Sequence, residues 1–261
     1  MTKPRVVILR SPGANCDVET AFAFELAGGD AERIHVNRVL EQPAVLADFQ
    51  ILCVPGGFSY GDDIAAGRIL GNQVRHHLAE TLQEFHAAGK LVLGICNGFQ
   101  VLLKTGMLLE EDQQGPRATL TWNDAGRFED RWVTLATEPG SCVFLQGVES
   151  LELPIAHAEG KFVTRDTAVL DELGRAGQLV LRYARRDAPA LTSDVVPYPD
   201  NPNASVANVA GVADRSGRVL GLMPHPERFI HRTQHPRWTR EDLGPTGQGI
   251  RVFENAVRFF R

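Results

Sequence analysis

The chain has 261 residues, 43% hydrophobic and 23% charged, the makeup of an ordinary globular protein with room for a sizeable core. Its net charge of -5 leaves no basic surplus for neutralising phosphates, which argues against a nucleic-acid binder. No apolar run approaches the length needed to cross a bilayer.

The N-terminal stretch is apolar only from Val6 to Leu9, between Arg5 and Arg10, too short for a secretory signal; it reads as a first β-strand. The loop Ser11-Pro12-Gly13-Ala14-Asn15 follows, with Asp17 expected to cap a helix from about Val18 that Gly28-Gly29 ends. Further strands are predicted at Arg33 to Val36 and Ile51 to Val54, then a long helical segment from about Ile64 to Ala88 with a break at Gly71. Leu91 to Ile95 is apolar on both faces, as a central parallel strand is. This alternation predicts βαβ units. The second half reads as more strand-rich: Thr119 to Trp122, Trp132 to Ala136, Leu153 to His157, Leu179 to Tyr183, Val206 to Val212 and Val219 to Met223, closed by a helix from Ile250 to Phe260. Asp194 to Asn203 is a loop rather than a linker, so residues 1–261 are expected to form one domain.

Cys16, Cys53, Cys96 and Cys142 stand far apart without a C-x-x-C pair, which predicts neither a zinc site nor a disulfide framework but free thiols in a reducing cytoplasm. Asn203-Ala204-Ser205 matches a glycosylation acceptor that stays silent without a secretory route.

The chemistry is carried by Gly94-Ile95-Cys96-Asn97-Gly98, the cysteine form of a nucleophile elbow, with a buried strand before it and a helix after it. The glycines are expected to let the chain turn tightly and hold Cys96 at the carboxyl edge of the sheet, where open α/β sheets bind ligands. A nucleophile needs a base, and the base an orienting group. Met223-Pro224-His225-Pro226-Glu227 supplies both directly after another buried strand: prolines hold an extended backbone, so that His225 and Glu227 project to one side. Pro55-Gly56-Gly57-Phe58 ends the third strand with uncovered N–H groups. An amide attacked by sulfur develops an oxyanion, for which the N–H groups of Asn97 and Gly57 are the candidate donors.

These motifs resemble those of class I (triad) glutamine amidotransferases. Pro12-Gly13-Ala14-Asn15-Cys16-Asp17, Pro55 to Asp62, Gly94 to Gln100, Ala156 to Phe162, Asn201-Pro202-Asn203 and Gly221 to Arg228 are similar to the glutaminase subunits of phosphoribosylformylglycinamidine synthases. The resemblance implies a flavodoxin-like α/β fold, an open, mostly parallel twisted sheet with helices on both faces. It implies that Cys96 attacks glutamine, His225 moves the protons and Glu227 orients His225, with Gln100 and His157 helping to line the glutamine pocket. It implies no cofactor or metal in this chain. The partner is a synthetase subunit that uses ATP and Mg to aminate formylglycinamide ribonucleotide, with a small accessory subunit as a further candidate.

Ala158 and Ala204 stand where that family has glycine. Residues 228–249 form an extra segment before the last helix, expected to be a solvated or partner-facing loop even though His231 and His235 have helical metal-ligand spacing. Two alternatives stay open: an amidotransferase serving another synthetase, and a non-catalytic channel subunit. A peptidase or deglycase of the same fold usually has histidine directly after the cysteine, where this chain has Asn97.

Overall fold

The computed structural model describes residues 2–261. The strands are β1 (Arg5–Arg10), β2 (Asp30–His35), β3 (Ile51–Val54), β4 (Leu91–Ile95), β5 (Ala118–Thr121), β6 (Glu129–Thr137), β7 (Ser150–His157), β8 (Lys161–Thr164), β9 (Leu181–Ala184), β10 (Val209–Ala213) and β11 (Val219–Leu222). The helices are α1 (Asp17–Leu26), α2 (Val36–Glu41), α3 (Arg68–His77), α4 (Ala79–Ala87), α5 (Asn97–Thr105), α6 (Thr167–Arg175) and α7 (Ile250–Arg258).

Nine strands form one sheet in the order β2-β1-β3-β4-β11-β10-β9-β6-β7. The first five run parallel, and β10, β9, β6 and β7 continue antiparallel. β3, β4 and β11 are buried along their whole length, as parallel strands covered on both faces must be. α1 and α7 pack together, with Phe24 edge-on to Phe253 at 4.9 Å, while α3 and α5 pack against each other elsewhere on the sheet. Burying each such phenylalanine contributes about 2–3 kcal/mol. β5 and β8 form a separate antiparallel pair.

The antiparallel half curls back toward the parallel half. The His225 N–H, just past β11, donates to Pro154 O of the edge strand β7 at 2.8 Å. This curl carries Ala156 and His157 to the carboxyl ends of β4 and β11, although β7 is the last strand in the sheet order.

Local departures from the sequence reading have physical reasons. Asp17 does not cap α1; its carboxylate instead takes Arg10 Nε and Arg33 Nη1, each at 3.0 Å. The long helical segment breaks at Leu78 rather than Gly71. α3 runs through Gly71, where the glycine serves close packing instead: a Cβ there would crowd the side chain of Lys104 on α5. Val36 starts α2 rather than ending a strand, its first turn closed by His35 Nδ1 accepting from the Asn37 N–H. α6 follows Asp166, whose carboxylate accepts from the Val169 N–H at 2.8 Å. The segment 228–249 is not freely solvated, because His235 is buried and meets Trp132 edge-on at 4.4 Å. Asn203 is also buried, donating to Gly160 O and Tyr183 Oη.

α5 lies unusually close to the sheet. Gly94 of β4 and Gly221 of β11 stand side by side in register. A Cβ on Gly221 would press into the Phe99 ring, and one on Gly98 would overlap the Val54 carbonyl of β3. Gly98→Ala should therefore destabilise the protein by about 3 kcal/mol in urea unfolding, because the obstacle is backbone and cannot rotate away. A loss under about 1 kcal/mol would mean that α5 can back off the sheet freely.

Candidate active site

Cys96 is the single residue between the last residue of β4 and the first of α5. Its backbone sits at φ 51 and ψ -104, a region costing a non-glycine residue about 1–3 kcal/mol. The surroundings hold it there: its N–H donates to Leu222 O of β11 at 2.8 Å, and its carbonyl accepts from the Gln100 N–H at 3.2 Å. The flanking glycines do not supply the turn, since neither Gly94 nor Gly98 has a positive φ. They allow the close approach of helix to sheet, and the left-handed conformation falls on Cys96 itself.

His225 and Glu227 stand beside it. His225 Nδ1 lies 2.6 Å from Glu227 Oε1, with both side chains buried. The backbone does not stay extended, because Pro226–Arg228 forms a short 3-10 turn; the carboxylate reaches the imidazole within it. Burial pushes the His225 pKa down, but the negative charges of Glu227 and Cys96 outweigh it and hold the value well above the ordinary one. Cys96 and His225 line one cavity of about 230 Å³ together with Asn15, Gly57 and Arg228. The Cys96 thiol also lies 3.7 Å from Ala156 O, the contact made by the curled β7.

Gly57 and Asn97 both adjoin Cys96. Gly57 has a φ of 134, and its N–H has no hydrogen-bond partner among the described residues, whereas the Phe58 N–H donates to Gly13 O at 2.9 Å. Asn97 opens α5, so its N–H has no acceptor within the helix. Its side chain is locked: Oδ1 accepts from the Ser59 N–H, and Nδ2 donates to Asp62 at 3.0 Å and to Gln100 Oε1 at 2.9 Å. Gln100 Nε2 in turn donates to Glu159 O at 2.6 Å.

Gln100 and His157 both line a second, tighter cavity of about 40 Å³ on Cys96, walled also by Asp62 and Glu159. Burial and the neighbouring Glu159 charge raise the Asp62 pKa, against hydrogen bonds from Gly67 and Asn97. His157 is buried, its Nδ1 is 3.1 Å from Asn123 Oδ1, and its ring packs where Gly160 has no side chain. Burial, helped by the charge on His225, lowers its pKa to about 3. Ala204, in place of an expected glycine, does take a left-handed φ of 59, whereas Ala158 does not. The structure thus brings the six other candidate residues around Cys96. Sequence reasoning missed Asp62 and Glu159, which lie inside matched motifs but carry no spacing signal of their own, and also Asn123, Cys16 and Arg228.

A family model described as CobB/CobQ-like glutamine amidotransferase domain matches residues 3–260. The phosphoribosylformylglycinamidine synthase subunit PurQ of Dehalococcoides mccartyi is 49% identical over 262 residues, covering 100% of this chain and 99% of that protein. The protein of the same name from Methanococcus maripaludis strain C7 is 37% identical over 269 residues, with 98% and 97% covered. A chain in the structure of PurLQS from Thermotoga maritima superposes with a TM-score of 0.74 at 30% identity, covering 100% of both chains. A glutamine amidotransferase from the same organism shares the fold, with a TM-score of 0.51 and 16% identity over 91% of this chain and 81% of that one.

The low pKa of His157 makes stability depend on pH. Its folded value of about 3 lies below the unfolded value of about 6.5, so between them only the unfolded chain takes up the proton. The group's contribution to stability is therefore complete above that window and is lost as pH falls through it, by at most about 1.4 kcal/mol per unit. Urea unfolding at about pH 7 and pH 5 should show the native chain losing about 2 kcal/mol more than His157→Asn. Parallel pH dependences would contradict a buried, neutral His157.

Proposed function

The chain belongs to the CobB/CobQ-like glutamine amidotransferase family, whose model spans residues 3–260, and on that premise we propose how it works as the glutaminase subunit of phosphoribosylformylglycinamidine synthase. In that role it hydrolyses L-glutamine to glutamate and ammonia. The ammonia passes to the synthetase subunit, which aminates formylglycinamide ribonucleotide in purine biosynthesis. The observation that carries the chemical reading is Cys96, held left-handed at the end of β4, beside the buried His225–Glu227 pair.

In the proposed reaction, Cys96 Sγ forms a bond to the carboxamide carbon of glutamine. The negative charge then on the amide oxygen is taken by the N–H groups of Gly57 and Asn97, neither of which has a prior claim on it. His225, which takes the Cys96 thiol proton and is helped to hold it by its raised pKa, gives that proton to the departing nitrogen. C–N cleavage releases ammonia and leaves a glutamyl thioester. Neutral His225 then takes a proton from water, which attacks the thioester and frees glutamate and the thiol. Glu227 holds the imidazole by Nδ1 throughout, leaving Nε2 for proton transfer.

We place the glutamine over Cys96, spanning the larger cavity that His225 lines and the small one with Gln100 on its wall. Asp62 and Glu159 give that cavity an acidic side suited to an α-ammonium group. His157, tied to Asn123, shapes the same wall. ATP and Mg act on the synthetase, and a reducing cytoplasm suits four cysteines that are all free thiols.

Cys96→Ala should abolish glutamine-dependent amination by the assembled complex, a loss of roughly 10³-fold or more, while the complex still uses free ammonia. Loss of both activities, or retention of glutamine-dependent turnover, would overturn this assignment.

A further inference from the structure

We propose that Cys16, His225 and Glu227 form a binding site for a thiophilic divalent cation such as zinc, whose occupation switches the glutaminase off. The inhibition half of this rests on His225 being the catalytic base.

Cys16 lies in the loop between β1 and α1, buried, and takes no part in the reaction described above. It nevertheless reaches the base. Cys16, His225 and Glu227 each offer a ligand atom, and these atoms lie within 4.8 Å of one another. Sulfur, imidazole nitrogen and carboxylate oxygen are a donor set that suits zinc. Zinc–donor bonds of about 2.0–2.3 Å put the donors of a tetrahedral site roughly 3–4 Å apart, so modest side-chain shifts close the gap.

An independent observation points to a ligand. Glu227 Oε2 is buried without a hydrogen-bond partner among the described residues, and the reaction described above makes no use of it. A buried carboxylate oxygen is normally satisfied, and leaving it bare is unfavourable. A cation would occupy this unmet capacity. The cavity of about 230 Å³ that borders His225 and Arg228 reaches one of the three donors and gives a path in. Arg228 acts on two of the donors: Nη2 donates to Cys16 Sγ at 3.1 Å, and Nε lies 3.9 Å from Glu227 Oε1. It orients them, while its positive charge holds the affinity down, as a reversible inhibitory site needs.

Binding takes the imidazole and the carboxylate as ligands, so His225 can no longer carry a proton to the leaving nitrogen. Zinc alone is the probe. Competition with a chromophoric chelator reads binding on the full chain, and glutamine-dependent turnover of the synthetase complex reads inhibition. The native chain should bind one zinc and lose turnover reversibly, with activity restored by EDTA. Cys16→Ser should bind zinc roughly ten- to a hundred-fold more weakly and need correspondingly more zinc to lose its turnover. Cys16→Ala makes the same test should the serine variant fail to fold. Cys96→Ser, though inactive, should bind zinc as the native chain does. Undiminished binding by both Cys16 variants, or loss of binding in Cys96→Ser, would overturn the proposal. A native preparation that binds zinc through Cys16 yet has no glutaminase activity in metal-free complex would sink the catalytic reading and leave the metal site standing.

Discussion

The site depends on how closely the start of α5 is pressed onto the sheet. Gly98 faces the Val54 carbonyl of β3, Phe99 lies over Gly221 of β11, and Gly94 clears the path between them. With strand and helix held this near, one residue must make the connection, and that residue is Cys96. Its left-handed backbone is the local price of the geometry, met by hydrogen bonds to Leu222 and Gln100. A glycine at position 96 would relax the strain but carry no sulfur. On the proposed mechanism, strain and reactivity therefore fall on one residue because the surrounding packing leaves no other place for them.

Around that fixed point the fold supplies the remaining groups from distant stretches of chain. β3 delivers Gly57 beside the parallel neighbour that carries Cys96. β11, the other neighbour, delivers His225 and Glu227. The curl of the antiparallel half brings β7 back over the same edge, where Pro154 fixes the backbone of His225 and His157 walls the small cavity. The polar groups are then linked in series: Asp62 to Asn97, Asn97 to Gln100, and Gln100 to the Glu159 carbonyl. A network of this kind fixes side chains before substrate arrives, so little ordering remains for the reaction to accomplish.

Much of this was legible in the sequence. The buried strands β1, β3, β4 and β11 follow from short apolar runs bounded by turns, and the elbow and the His225–Glu227 pair from motifs at strand ends. Two kinds of feature were not legible. Short local elements such as α2 and β8 owe their state to contacts that propensity does not register: Val36 and Val39 are buried, and β8 pairs with β5 from across a long loop. Spacing alone also cannot separate a positive φ from a close approach, so Gly94 and Gly98 point to turning freedom in the sequence and to close packing in the structure. Asp62 and Glu159 become neighbours only through tertiary structure, nearly a hundred positions apart in the chain. Likewise, nothing in the spacing ties Cys16 to His225.

On the proposed mechanism, packing singles out Cys96, among four buried thiols, as the reactive one. The most direct measurement is peptide mapping after treatment of the assembled enzyme with an electrophilic glutamine analogue. A single adduct on Cys96, prevented by excess glutamine, is the predicted result. Labelling that favours Cys16, or that spreads over the thiols without protection by glutamine, would contradict the account.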